Sequence, residues 1–200
     1  MSKTKPNNKK SILLWLSIIS LILFLLIILL INLELTNGID QNISSFFNSN
    51  QVNTLMFIFV FITSLGSFVG LIIMGAIVLI YFYLLNKFRE LKLIIILSLL
   101  TFLIVHFIKQ IIFRVRPINP FKIQYSFPSA HSAVSIVFFG FLVVFFWNKK
   151  KYVSYLFGLL ILLIGFSRIY LNVHWLTDVI GGYLIGIAIL LFGLYFFNKK

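Results

Sequence analysis

The chain contains no cysteine, only four acidic residues among 200, and just 10% charged side chains in all. Without cysteine there are no disulfides, no thiolate metal ligands and no Cys nucleophile. The four carboxylates are Glu34, Asp40, Glu90 and Asp178, too few and too scattered in sequence for an oxygen cage around Mg²⁺ or Zn²⁺. Soluble domains carry about 25% charged and about 45–50% apolar residues. Here 61% are hydrophobic and the mean hydropathy is +1.09, so water is the wrong solvent for this sequence. Two hundred residues is one domain's worth of chain, and a single membrane-embedded domain over 1–200 is expected.

What is present is positive charge, a net +13. Its placement argues against nucleic acid, which would need the cations gathered on one solvated face. Twelve of the seventeen basic residues fall in four clusters: Lys3, Lys5, Lys9 and Lys10; Lys87, Arg89 and Lys92; Lys149, Lys150 and Lys151; Lys199 and Lys200. These clusters separate apolar runs, as cytoplasmic loops do, and they suit contact with anionic lipid.

About 20 apolar residues cross a bilayer. Ser11 to Leu33 is long enough, and it exceeds a signal-peptide core of roughly 7–15 residues with no A-x-A-like site after it, so an uncleaved first span is expected. Further spans are expected near Phe68–Leu85, Leu93–Phe113, Ala133–Trp147, Tyr152–Phe166 and Val179–Phe197. The segment Gln41–Ser67 is interrupted by Asn, Ser, Thr and Gln. Excluding it puts all twelve clustered cations on one side against five on the other; including it gives nine against eight. The positive-inside rule favours the first split. The reading is an all-α integral membrane protein: a six-span helix bundle in the cell membrane, both termini cytoplasmic, with an interfacial segment after the first span. Gly158, Gly165, Gly181, Gly182, Gly186 and Ala188 read as sites of close helix contact.

That topology brings four helix ends to one face, and the unusual polar residues sit there. Span three ends in Lys109, Arg114, Arg116 and Pro117; span four begins at Pro128–Ser129–Ala130–His131; span five ends at Ser167–Arg168; span six is entered through His174 and Asp178. Ionisable groups at membrane depth are costly and are functional candidates by default. Lys109, Arg116 and Arg168 call for an anion, and an Arg fork matches phosphate oxygens. Pro117 disfavours helix at Arg116, so the helix should end near that arginine. Ser129 at a helix start offers a hydroxyl beside unpaired N–H groups. His174 and Asp178, spaced i,i+4, face each other on a helix. A carboxylate on one imidazole nitrogen fixes the tautomer and makes the other a better nucleophile or base. His131 is a second imidazole, available as proton donor.

Each residue also has an ordinary reading. Lys109 and Arg168 could be snorkelling cations, and His174 with Asp178 a structural pair. Arg114 and Lys122 read as surface or headgroup contacts, His106 as a hydrogen-bonded interior residue, and Glu34 and Asp40 as outer-loop solubility charges. Tyr125, Phe127, Tyr170 and Trp175 fit an interfacial aromatic belt.

Together, Lys109-x6-Arg116-Pro117, Pro128-Ser129-Ala130-His131 and Ser167-Arg168-x5-His174-x3-Asp178 resemble the three-part signature of the type-2 phosphatidic acid phosphatase family, over the region 109–178. One position departs: Ala130 stands where the family usually has Gly. The resemblance implies a membrane phosphatase acting on a lipid phosphate or diphosphate at the extracytoplasmic face, with undecaprenyl diphosphate, phosphatidylglycerophosphate and phosphatidic acid as candidates. It implies His174 as nucleophile forming a phosphohistidine, Asp178 orienting it, and His131 as proton donor and then water activator. Lys109, Arg116, Ser129, the N–H of Ala130 and Arg168 would hold the phosphate, with no metal and no cofactor. A lipid-phosphate phosphotransferase is the nearest alternative. An anion transporter would explain the cations but not the two histidines with their aspartate.

Overall fold

In a computed structural model, residues 7–118 and 125–197 are described. They form eight helices and, among the described residues, no strand: α1 (Asn7–Asn32), α2 (Asn37–Ser49), α3 (Asn53–Leu65), α4 (Phe68–Leu84), α5 (Phe88–Ile112), α6 (Ala130–Phe146), α7 (Lys151–Tyr170) and α8 (Leu176–Phe197). Lys3, Lys5, Lys122, Lys199 and Lys200 lie outside the described residues. Helices are what these sequences must form in lipid, where every backbone N–H and C=O needs a partner within its own segment.

Four helices are long and apolar enough to cross a membrane: α1 over Lys10–Asn32, α5, α7 and α8. Helices α3 and α4 pass the same test together but are bent by 55° at the Gly66–Ser67 break, the geometry of a broken span or a re-entrant loop. Ser67 caps α4 by accepting the Gly70 N–H at 3.1 Å, which fixes a new helix start at the break. Helix α6 has 17 residues, at the short end of the spanning range. It is also the most enclosed helix, packed by α5, α7 and α8, with Val137, Phe139 and Leu142 in the core. The outer faces expose apolar side chains such as Trp15, Leu25 and Leu29 on α1 and Leu99 and Leu103 on α5, as lipid contact requires.

Lipid tails are as apolar as Leu, so helix association rests on close packing and interhelical hydrogen bonds. Both occur on α8. Ser17 and Ser20 of α1 each donate to a carbonyl of α8, at Ala188 and Leu184, both at 2.8 Å. On the other side, glycines let the α6 backbone approach: a Cβ on Gly182 would lie 2.5 Å from the Ser129 carbonyl, and one on Gly186 would lie 2.6 Å from that of Ala133. Gly165 and Gly181 are likewise filled, by Tyr183 and Phe127. Gly158 is different. A Cβ there would meet nothing within 4 Å among the described residues, so it is not a packing glycine there.

Helices α1, α4, α5, α6, α7 and α8 alternate in direction, bringing the C-terminal ends of α5 and α7 and the N-terminal ends of α4, α6 and α8 to one end of the bundle. The α2–α3 segment packs against that end, with α2 on α7 and α8 and α3 on α7.

Candidate active site

The first signature segment leaves its helix earlier than Pro117 requires. Helix α5 stops at Ile112 because Phe113 adopts the left-handed conformation, φ 52°, and caps it with an N–H to the Lys109 carbonyl. An aromatic residue there is strained, a feature that tends to gather at functional sites. The turn sends 114–116 across the end of the bundle. Ser126 then pins it, its N–H donating to the Arg114 carbonyl at 2.7 Å, while Trp175 Nε1 donates to the Val115 carbonyl at 2.7 Å.

His174 is set by the end of α7. Asn172, a residue that tolerates the left-handed region, has φ 54°. The N–H groups of Val173 and His174 both return to the Arg168 carbonyl at 3.2 Å. Asp178 lies in the first turn of α8, fully buried. Its Oδ2 accepts from the Trp175 N–H at 2.9 Å and faces His174 Nδ1 at 3.3 Å. On the other side of the ring, Arg116 Nη1 lies 3.2 Å from His174 Nε2. Guanidinium only donates, so this contact favours a lone pair on Nε2, with Nδ1 carrying the proton toward Asp178. The two contacts thus favour one tautomer, with Nε2 as the basic, nucleophilic nitrogen.

Electrostatics favour the same form. Burial pushes the His174 imidazole well below its ordinary value, and the nearby charges of Arg168, Lys109 and Arg116 push it further down. An uncharged ring ringed by cations is what a nucleophile toward a phosphate needs.

The cations are themselves held. Lys109 is buried and its Nζ donates to the Tyr125 and Ser126 carbonyls, each at 2.8 Å. Arg116 Nη1 also donates to the Val173 carbonyl at 2.9 Å. Arg168 Nη1 donates to Thr63 of α3 at 2.8 Å, while its buried Nε meets no partner among the described residues. Ser129 is the N-cap of α6, its Oγ accepting from the Ser132 N–H at 3.4 Å and the Ser132 hydroxyl at 3.0 Å. Its own N–H donates to the Asp178 carbonyl at 2.9 Å, which ties the second signature segment to the third. Ala130 begins α6 without a positive φ, so its methyl carries no backbone strain. His131 lies within electrostatic reach of Arg168 and His174.

Ala130 and His131 also line a cavity of about 500 Å³. It runs between α4, α5 and α6, past Leu71, Gly75, Ile94, Leu99 and Phe138, and its walls are almost wholly apolar. A second, smaller pocket of about 190 Å³ opens beside Asn37, Asp40, Arg114 and Trp175.

Asp40 is 2% exposed, not a solubility charge, and Arg114 is not a headgroup contact: its Nη2 pairs with Asp40 at 2.7 Å and its Nη1 with Asp178 at 2.8 Å. Glu34, by contrast, is exposed. His106 is on the bundle's outer surface, stacked on Phe102, and not in the interior. Phe127 is fully buried, stacked on Phe24 of α1 at 5.6 Å, and Tyr170 is buried with its hydroxyl accepting the Val52 N–H at 2.9 Å. Neither belongs to an interfacial belt. Thr63 and Thr177 join the site from α3 and α8, and no pattern in the sequence marks them.

Residues 90–200, more than half the chain, match the family model of the PAP2 superfamily, and the chain belongs to that superfamily. Phosphatidylglycerophosphatase B of Bacillus subtilis (strain 168) is 40% identical over 92 residues, covering 41% of this chain and 45% of that protein. The chain thus matches less than half of that relative's length. The undecaprenyl-diphosphatase of Sulfolobus acidocaldarius is 28% identical over 183 residues, 83% of this chain and 84% of that protein. Among solved structures, a transmembrane PAP2 type phosphatidylglycerolphosphate phosphatase from Bacillus subtilis superposes with a TM-score of 0.82 at 28% identity, over 92% of this chain and 96% of that one. LpxE of Aquifex aeolicus gives a TM-score of 0.62 at 25% identity, over 78% and 94% of the two chains. With its long apolar helices, the protein is a multi-pass membrane member of the superfamily.

Proposed function

We propose that the protein is a lipid phosphatase in which His174 Nε2 attacks the phosphorus of a lipid phosphate or diphosphate. The observation that carries this reading is the placement of His174, with Nδ1 facing Asp178 and Nε2 on the opposite side beside Arg116, close to the charges of Lys109 and Arg168. Phosphoryl transfer is mainly positioning and charge stabilisation, and these residues can supply both. In the first step the N–P bond forms and the bond from phosphorus to the leaving oxygen breaks, the lipid's own oxygen in a monophosphate and the bridging oxygen in a diphosphate. The electron pair goes to that oxygen, which takes a proton from His131. In the second, water attacks the phosphohistidine, His131 accepts a proton from it, and the N–P bond breaks to release phosphate and neutral His174. Lys109, Arg116, Arg168, Ser129 and the Ala130 N–H hold the phosphoryl oxygens throughout.

The apolar cavity beside His131 supports a lipid substrate, its walls suited to a hydrocarbon chain while the phosphate sits at the cations. Lys109, Arg116 and Arg168 can supply the charge stabilisation that phosphoryl transfer needs, so the reaction proposed is metal-independent. The alternating helices and the charge split support six crossings, counting the α3–α4 pair with α4 as its crossing part and α6 as a short span, with termini cytoplasmic and the site outside. The test is phosphate release by purified protein in EDTA from undecaprenyl diphosphate, phosphatidylglycerophosphate and phosphatidic acid. Release from at least one is expected. Release from none, or only when Mg²⁺ is restored, overturns the reading.

A further inference from the structure

The third signature motif ends at Asp178, but the hydrogen bonds do not. Asp178 has two carboxylate oxygens with different duties. Oδ2 receives the Trp175 N–H at 2.9 Å and faces His174 Nδ1 at 3.3 Å, while Oδ1 receives Arg114 Nη1 at 2.8 Å. A carboxylate can rotate about its Cβ–Cγ bond; a firm bond to each oxygen prevents that. With the Trp175 N–H on Oδ2, Arg114 on Oδ1 locks the carboxylate with Oδ2 turned toward the imidazole.

Arg114 is fixed in turn. Its Nη2 donates to Asp40 Oδ2 at 2.7 Å and its Nη1 also donates to Thr177 Oγ1 at 2.7 Å. Asp40 closes the arrangement, accepting the Thr177 hydroxyl on Oδ2 at 2.6 Å and the Thr177 N–H on Oδ1 at 3.1 Å. That last N–H lies in the first turn of α8, where backbone donors lack helical partners and a carboxylate is favoured. Both aspartates are almost wholly enclosed, at 2% and 0% exposed. Buried charges persist only when paired and hydrogen-bonded, and a planar fork can bridge two carboxylates where a lysine ammonium, a point charge, cannot do so in one plane. The bridge also separates Arg114 from the phosphate-binding cations, since both ends of its fork are committed to carboxylates.

We propose that Asp40 and Arg114 are positioning residues for phosphoryl transfer, a buried relay that fixes Asp178 and through it the reactive tautomer of His174. The relay makes the docking of α2 a condition of activity, because Asp40 belongs to the first turn of that helix. The role rests on His174 being the nucleophile, as proposed above.

The experiment compares the purified full chain with Asp40→Asn, Arg114→Gln, Arg114→Lys and the Asp40→Asn/Arg114→Gln double variant. Two readouts are needed. The first is single-turnover phosphohistidine formation from ³²P-labelled phosphatidic acid or undecaprenyl diphosphate, whichever the wild type turns over. Partners that orient metal-bound histidines matter by about 10–100-fold; with a similar orienting role here, Asp40→Asn should slow the step by about that factor while KM changes little. In the Arg114→Gln background, Asp40→Asn should cost almost nothing more. Arg114→Lys should be impaired although it keeps the charge. The second readout is the ring tautomer, by ¹⁵N-histidine NMR on a chain with only three histidines. The wild type should show one neutral ring protonated at Nδ1, and the Asp40 and Arg114 variants a mixture. Independent, additive rate losses, a fully active Arg114→Lys, or an unchanged His174 tautomer in the variants would overturn the relay. If the wild type forms no phosphohistidine at all, the proposed function fails instead, and the tautomer still reports on the relay alone.

Discussion

His174 is held as a neutral ring by burial and by the positive field of Arg168, Lys109 and Arg116. Its folded-state pKa lies well below the unfolded value of about 6.5, so the unfolded chain binds the proton more readily. Between the two values stability rises with pH. The His174 contribution is complete above about pH 6.5 and is lost as the pH falls below that toward the folded value. We therefore expect a ¹³C-histidine NMR titration of the folded protein to keep His174 unprotonated well below pH 6.5. Protonation at or above that value would mean the cationic field is absent. Residue type and spacing single out Lys109, Arg116, Ser129, His131, Arg168, His174 and Asp178, and all of them lie at one end of the bundle. Arg114 is not singled out, because an arginine two positions from another reads as a surface partner. What changes its meaning is Asp40, 74 residues away and delivered by α2, and no local pattern announces that meeting.

At the scale of helices, the site depends on how closely α8 approaches α6. Gly182 makes that approach where the Ser129 carbonyl and the Ser132 side chain leave no room, with the nearest atoms 2.5 and 2.9 Å from an added Cβ. Gly182→Ala should destabilise the protein by about 1–3 kcal/mol through overpacking and displace Ser129 from the site. Gly158→Ala, with open space around it, should be neutral or stabilising by about 0.5–1 kcal/mol, the ordinary gain in a helix interior. Thermal inactivation in detergent compares the two; equal effects would show that α8 does not pack as described. The sequence marked both glycines alike, since small residues in apolar helices all suit close contact. Only the packing distinguishes them. The apolar runs located helices α1, α4, α5, α6, α7 and α8 to within about five residues, but not the break at Gly66–Ser67, where the capping hydroxyl of Ser67 starts α4 at an angle of 55° to α3.

For the whole molecule, charge placement argues for orientation. Lys87, Arg89, Lys92 and Lys149–Lys151 flank the ends of α4, α5, α6 and α7 opposite the site, while Arg114, Arg116 and Arg168 lie at the site itself. A chain without cysteine allows single-cysteine labelling with no background. Ile118→Cys should react with an impermeant maleimide in intact cells, and Lys150→Cys only after permeabilisation. The reverse pattern would place the site in the cytoplasm.

A nucleophilic His174 would carry the phosphoryl group on one imidazole nitrogen for part of each turnover. Rapid quench of the purified wild type with a ³²P-labelled lipid substrate, followed by peptide mapping, detects that intermediate. Label should appear on His174, acid-labile and alkali-stable, within a single turnover. It should be absent in a folded His174→Ala variant that has lost hydrolysis. Hydrolysis persisting in His174→Ala, or label trapped on another residue, would contradict a nucleophilic His174.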